Sequence, residues 1–345
     1  MRQSLHGQRG LSLVELLISM ALGLVLILGI VTLFLQSQRS QRQNSEIQGM
    51  QDQARFAMQQ LSRDLAMAGY WGGLYSGSDI AVSAAALAAL PPGSDCGPDT
   101  AATWAFKTAQ RVEFRNQDAG TAASASYRCV GQVQASTDMI AVRRVAGQES
   151  AAGSTCNAIS LSPNTFYLKT NGTVGTLIRL GSGASYLPCM ADEPVAAPVT
   201  FYKYVPRLYY VRSWTQKAGD GLPSLCRREL RHEAAAQLAE ECLADGVEDF
   251  QVSWGLDTDG DGQVDRYSNS PAATDMGRVR TAQIFLLLRS VHSDRGYEDQ
   301  KTYTLADHVY EPAAVPGAEG HDPSHPVHYL RRLFTTTVQM RNASF

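Results

Sequence analysis

The chain has little charge and almost none of it unbalanced. Of its 345 residues 18% are charged, 30 lysines and arginines stand against 33 aspartates and glutamates, and the formal net charge is −3. No broad basic field exists to hold a polyanion, which argues against a DNA or RNA partner. No C-x-x-C pair occurs among the six cysteines, so the common zinc and thiol-exchange spacings are missing. No G-x-S-x-G, H-E-x-x-H or phosphate-binding glycine loop is present, and catalysis has no visible seat.

Charge is scarcest near the N-terminus. From Leu11 to Leu35 the chain runs 25 residues with a single charged side chain, Glu15. At 1.5 Å per residue such a helix crosses a hydrocarbon core of about 30 Å with some tilt. No A-x-A follows Leu35, so a cleaved secretory signal does not fit and the helix is retained. Arg2 and Arg9 precede the span and Arg39 and Arg42 follow it, so flanking charge orients it only weakly. A carboxylate inside an apolar run costs roughly 2.5 to 3.5 kcal/mol at a helix centre and less near an interface. Glu15 therefore calls for a partner.

Beyond the span the helical period continues through Ile47, Met50, Ala54, Met58, Leu61 and Leu65, so one helix is expected from about Ser12 to Ala68, ended by the glycines of Gly69-Tyr70-Trp71-Gly72-Gly73. Its residues 36–68 would lay an apolar stripe on a globular domain. Residues 69–201 are rich in alanine, glycine, serine and proline and give only short strand signals, such as Met139 to Val142 and Thr165 to Lys169. They read as a loop-rich insertion, with Asn171-Gly172-Thr173 a turn. Within 202–345, the segments Arg207 to Arg212, Leu225 to Arg231, Val247 to Trp254, Arg278 to Arg289 and Leu333 to Met340 read as strands of one antiparallel sheet, with Glu233 to Leu243 a short helix or loop between them. Tyr202, Tyr204, Tyr209 and Tyr210 read as sheet packing.

Cys96, Cys129, Cys156, Cys189, Cys226 and Cys242 all lie past the apolar run, which suggests disulfides in an oxidising compartment. The strand reading favours Cys226 with Cys242; six cysteines alone allow fifteen pairings, and Cys96 with Cys129 and Cys156 with Cys189 is one arrangement of the other four. Among the C-terminal residues a single loop stands out, Asp257-Thr258-Asp259-Gly260-Asp261-Gly262-Gln263-Val264-Asp265. It puts carboxylates at positions one, three, five and nine of a calcium loop, with glycine at six and the Gln263 carbonyl at seven. Position twelve is Ser268 in place of a bidentate glutamate, so the loop is truncated. Bound Ca²⁺ is the expected cofactor, and without a cation the clustered charges should leave the loop strained or disordered. His321, His325 and His328, interleaved with Pro323 and Pro326, read as an exposed connection and not as a metal site.

Gly10, then Leu11-Ser12-Leu13-Val14-Glu15, then the long apolar run, resembles the signal of type IV prepilins and pseudopilins. The resemblance implies cleavage after Gly10 by a prepilin peptidase on the cytoplasmic face, methylation of Leu11, and pairing of Glu15 with the new amine of a neighbouring subunit. The helix end AGYWGG, the strand RLYYVR at 207–212, DGVEDF at 245–250, the DTDGDGQVD loop and the tail RRLFTTTVQMRN are together similar to PilW minor pilins. That likeness implies an α+β, pilin-like fold: a cytoplasmic leader (1–10), a transmembrane helical half (11–35), an amphipathic periplasmic half (36–68), a disulfide-pinned insertion (69–201) and an antiparallel sheet domain (202–345). It also implies a non-catalytic subunit that primes pilus assembly with other minor pilins, the major pilin, a PilY-type tip adhesin and the inner-membrane assembly platform. Such a subunit sits in the inner membrane with its C-terminal domain in the periplasm, and then in the fibre at the cell surface. A J-type pseudopilin of type II secretion, or a membrane-anchored periplasmic enzyme or binding module, are the alternatives.

Overall fold

The computed structural model describes residues 12–90, 104–116, 127, 130, 132–153, 159–181, 185–186, 198–231, 237–312 and 327–342. It divides into two compact units, residues 1–48 and 49–345. One 54-residue helix, α1 (Leu13–Ala66), contributes to both. From Leu13 to Leu35, in the first unit, its apolar side chains are exposed, Leu13 at 75% and Leu33 at 68%. A helix apolar all round and uncovered by protein is suited to lipid. In the second unit α1 turns amphipathic and buries Met50, Ala54, Ala57, Leu61, Asp64 and Leu65.

Seventeen strands are described. The large sheet draws on β1 (Ile80–Val82), β2 (Val112–Arg115), β3 (Met139–Val145), β4 (Ala151–Gly153), β6 (Phe166–Thr170), β7 (Gly175–Arg179), β9 (Val199–Arg212), β10 (Ser224–Arg231) and β11 (Gln237–Asp245). β5 (Ile159–Ser160) pairs with β8 (Ser185–Tyr186) apart from it. β12 (Val247–Leu256), β13 (Arg266–Ser268), β14 (Val279–Arg289) and β17 (Arg331–Gln339) make a second sheet in the order β13-β12-β14-β17. β15 (Tyr303–Leu305) and β16 (His308–Tyr310) form a hairpin. All pairings are antiparallel except β1 with β7. A short helix, α2 (Ala84–Ala89), is capped by the Ser83 hydroxyl, which accepts from the Ala86 amide at 3.2 Å.

The fourteen residues of β9 organise the large sheet. Its first half pairs with β4 and β6 and its second half with β3 and β10. Trp71, Trp104, Tyr127, Phe166, Tyr204 and Tyr210 pack in the core beneath it. Gly69, Gly72 and Gly73 all take positive φ after α1, which ends the helix as the sequence implies.

Three expectations need correction. The stretch 74–200 is no mere insertion, because β1, β3, β4, β6 and β7 lie in the large sheet. These strands are short, and β3 is buried on both faces with Arg143 and Arg144 inside, which breaks the alternation a half-exposed strand shows. The region 202–342 is two sheets and not one, since β9 to β11 join the large sheet and β12, β13, β14 and β17 form their own. Residues 237–245 form a strand where a helix or loop was expected. Cross-strand ion pairs there, Arg212 to Glu240 at 2.6 Å and Arg227 to Glu241 at 2.8 Å, let a charged sequence hold a sheet edge.

Candidate functional site

In the first unit, Glu15 sits exposed in the opening turn of α1, and its backbone carbonyl accepts from the Ser19 hydroxyl at 2.7 Å. Gly10 and Leu11 lie outside the described residues, as do Cys96, Cys129, Cys156 and Cys189. Cys226 and Cys242 are register partners on β10 and β11 and form a disulfide. Of the three histidines only His328 is described; its ring contacts the Tyr297 carbonyl.

The docking of α1 on the large sheet rests on a charged group that is no member of the apolar stripe read from the sequence. Asp64 is buried and takes Arg144 Nε at 3.0 Å and Nη2 at 2.7 Å, Arg207 Nη1 at 2.9 Å, and the Tyr209 hydroxyl. Arg207 also reaches Glu229 at 2.9 Å. Burial pushes the Asp64 carboxyl up, but Arg144, Arg207 and the Tyr209 hydroxyl outweigh it and hold the group below the usual carboxylate range. One helical carboxylate thus ties α1 to β3 and β9. The only sequence signal for it was an aspartate spaced with the apolar stripe, three residues after Leu61.

A second buried cluster joins the small sheet to the hairpin region. Glu248 on β12 receives Arg331 Nε at 2.6 Å and Nη2 at 3.0 Å, with Arg289 at 3.6 Å and Asp299 on the far side of Arg331 at 3.4 Å. Next to it Asp249 meets His308 Nδ1 at 2.6 Å. That hydrogen bond raises the His308 pKa against the opposing effect of burial.

The aspartate loop is closed by the protein's own donors. Asp257, buried at the end of β12, accepts from the Gly260 amide at 2.6 Å, the Gly262 amide at 3.0 Å, and Arg280 at 2.8 Å. Burial pushes its carboxyl up, and Arg280 and the two amides more than reverse that, leaving it below the usual range. Asp265 accepts from the Thr258 amide and hydroxyl at 2.6 and 2.7 Å. Gly260 and Gly262 have φ of +87° and +89°, values that favour glycine. The expectation of a strained or disordered loop is corrected by this network, because Arg280 and the backbone amides take up charge the sequence showed as bare.

Oxygens of Asp257, Asp259 and Asp265 lie within 4.8 Å of one another. Ca²⁺ binds oxygen at about 2.3 to 2.6 Å, so ligands across one ion stand roughly 4.6 to 5.2 Å apart and the three fit such a shell. Asp261 is not gathered with them. Its carboxylate accepts from the Gln263 amide at 2.7 Å and the Gln263 side chain at 3.2 Å, so both residues close a local turn.

Comparison with known proteins then decides the class. A family model described as Type IV Pilus-assembly protein W matches residues 208–342. A prokaryotic N-terminal methylation motif matches residues 5–31. The chain carries a PilW-type domain in its C-terminal part and a prokaryotic methylation motif at its N-terminal end. Among solved structures, a type IV-like pilin from Thermus thermophilus is similar at 19% identity, over 47% of this chain and 78% of that one, with a TM-score of 0.23. Comparison with curated proteins gives no match. In this chain the methylation motif covers Gly10, Leu11 and Glu15, and the PilW-type match runs from the second half of β9 through β17, including the aspartate loop and the Cys226–Cys242 bridge.

Proposed function

We propose that this chain is a minor pilin, a non-catalytic subunit that primes assembly of type IV pili. The observation that carries the reading is the joining, in one chain, of a prepilin methylation motif with a 54-residue helix whose opening turns are apolar and exposed and whose last turns anchor in a PilW-bearing domain. In this reading a prepilin peptidase cuts after Gly10 and Leu11 is methylated. Residues 11–35 hold the subunit in the inner membrane with its C-terminal domain in the periplasm, and Glu15 pairs with the amine of a neighbour. A bare amine and a carboxylate in low dielectric attract enough to offset much of their desolvation. Asp64 keeps the emerging helix fixed to its domain as other minor pilins, the major pilin, a PilY-type adhesin and the assembly platform engage it.

Calcium has a structural place in this reading. Asp257, Asp259 and Asp265 would hold one ion, which would add a hard cation to a loop already closed by amides and Arg280.

Cells lacking the chain test the function. Surface pili should fall sharply and return with the wild-type chain, while protein secretion through a type II system stays normal. Full piliation without the chain, or a secretion defect in place of a pilus defect, would overturn the reading and favour a J-type pseudopilin.

A further inference from the structure

Most sheet edges in this protein are blunted. β1, β4 and β13 are three residues long and β2 is four. The longer edge strand β11 carries Glu240 and Glu241 and pairs through a register irregularity. Short strands, charges and irregularities are the usual protections of an edge.

The nine-residue edge strand β17 is neither short nor irregular, and its only charges, Arg331 and Arg332, are its first two residues. Its register with β14 is unbroken from Thr281↔Gln339 to Arg289↔Arg331. From Leu333 to Gln339 it contains neither proline nor charge. The Met340 amide donates to the Arg280 carbonyl at 2.8 Å and the Leu330 carbonyl accepts from the Ser290 amide at 2.8 Å, so even-numbered residues exchange hydrogen bonds with β14. In an antiparallel ladder the alternate residues point their backbone groups the other way. Leu333, Thr335, Thr337 and Gln339 therefore present a row of N–H and C=O groups outward, and none meets a partner among the described residues. The side chains of Thr335, Thr337 and Gln339 are exposed, so the sheet face they stand on is open to solvent. Arg332 and Arg341 stand exposed at its two ends, and neither has a carboxylate partner among the described residues.

We infer that β17 is a strand-addition site that accepts an extended segment of a different protein, rich in β-branched residues and carrying an acidic side chain toward each end. Backbone hydrogen bonds supply affinity in this mode and the flanking side chains supply selectivity. A second copy of β17 is the wrong occupant: antiparallel self-pairing centred on Thr336 sets Arg331 of each copy directly opposite Arg341 of the other, and like charges directly opposite on a ladder repel. The inference rests on the edge itself and stands or falls apart from the pilus reading.

The test uses the full chain in detergent micelles and a labelled peptide probe, Asp-Thr-Val-Thr-Val-Thr-Val-Asp. Hydrogen exchange should find the amides of Leu333, Thr335, Thr337 and Gln339 fast in the free chain and slowed by the peptide. A lysine-flanked version should bind weaker by on the order of tenfold, since two attractive contacts become repulsive. Thr337→Pro should abolish binding while leaving Tm and the protection of β14 intact, because it removes only an outward N–H. Thr335→Pro serves if that variant fails to fold. Outward amides already protected in the free chain, equal binding of both peptides, no binding of the acidic one, unaltered binding by the proline variant, or dimerisation through β17 would each overturn the inference.

Discussion

At the scale of single residues, Asp64 shows how a buried carboxylate can be a condition of folding without adding much net stability. It sits between two guanidiniums and a phenol, and removing it leaves Arg144 and Arg207 without their shared counter-ion in the protein interior. Breaking a buried pair on one side costs about 3 to 5 kcal/mol. Asp64→Ala should therefore unfold the second unit at a markedly lower denaturant concentration, whereas Gln59→Ala, on the exposed face of the same helix, should do little. The pH dependence has a fixed sign. The folded-state pKa lies below the unfolded value of about 3.9, so the stabilisation is complete above that pH and is lost as pH falls through the folded value. His308 works in the opposite direction. Its folded pKa is raised by Asp249, so its contribution is complete below about pH 6.5, the unfolded value, and disappears as pH rises through the folded one. Thermal melts of wild type and His308→Gln should diverge at pH 5.5 and converge in mildly alkaline buffer; a constant gap across that range would remove the histidine from the account.

At the scale of elements, the aspartate loop and the β10–β11 bridge offer two separable tests. Ca²⁺ in millimolar excess should raise Tm of the folded chain by about 5 °C through binding to the folded state alone. Mg²⁺, which holds its waters and demands a tighter octahedron, should do less. Asp259→Asn with Asp265→Asn should remove that increment, and equal calcium shifts in variant and wild type would return the loop to a plain turn. Opening the Cys226–Cys242 bridge frees a sequence separation of 16 residues. A closed loop of that size is worth about 3 kcal/mol on the chain-entropy account, so Cys226→Ser with Cys242→Ser should lower denaturant resistance by a comparable amount. These elements also mark how far sequence could be read. The apolar run, the helix stop at Gly69 to Gly73, the aspartate loop and the strands β12, β14 and β17 were legible because each follows a local rule of period or turn chemistry. β3 was only partly legible because its arginines are buried, Arg143 held by the Trp104 and Gln110 carbonyls at 2.6 and 2.8 Å and by Glu113. β11 was misread because its glutamates find arginine partners only across strands. Asp64 was missed for the same reason: its partners lie 80 and 143 residues away.

At the scale of the whole molecule, the residue proposed to act in assembly and the carboxylate that anchors the helix lie in different units of the chain. Glu15 belongs to the unit of residues 1–48, and every contact that holds Asp64 belongs to the other. Changing each in turn should produce opposite patterns. Glu15→Ala removes a charge from an apolar helix, so membrane insertion should be unimpaired and, on insertion scales, easier by up to about 3 kcal/mol. Resistance of the C-terminal domain to proteolysis should match wild type, because no residue of that domain is altered. What should fail is joint assembly: cells carrying only the Glu15→Ala chain should show few surface pili although the subunit accumulates in the membrane at normal levels. Asp64→Ala should show the reverse order of events, with protease sensitivity and loss of the subunit preceding any loss of pili. Intact mass of the membrane-extracted wild-type chain fixes the starting species for both, since cleavage after Gly10 with methylation of Leu11 leaves a chain of 335 residues, 345 less the ten of the leader. Normal piliation by Glu15→Ala would remove the intersubunit charge pair from the mechanism, and an intact Met1 in cells with an active peptidase would remove the processing step that creates its positive partner.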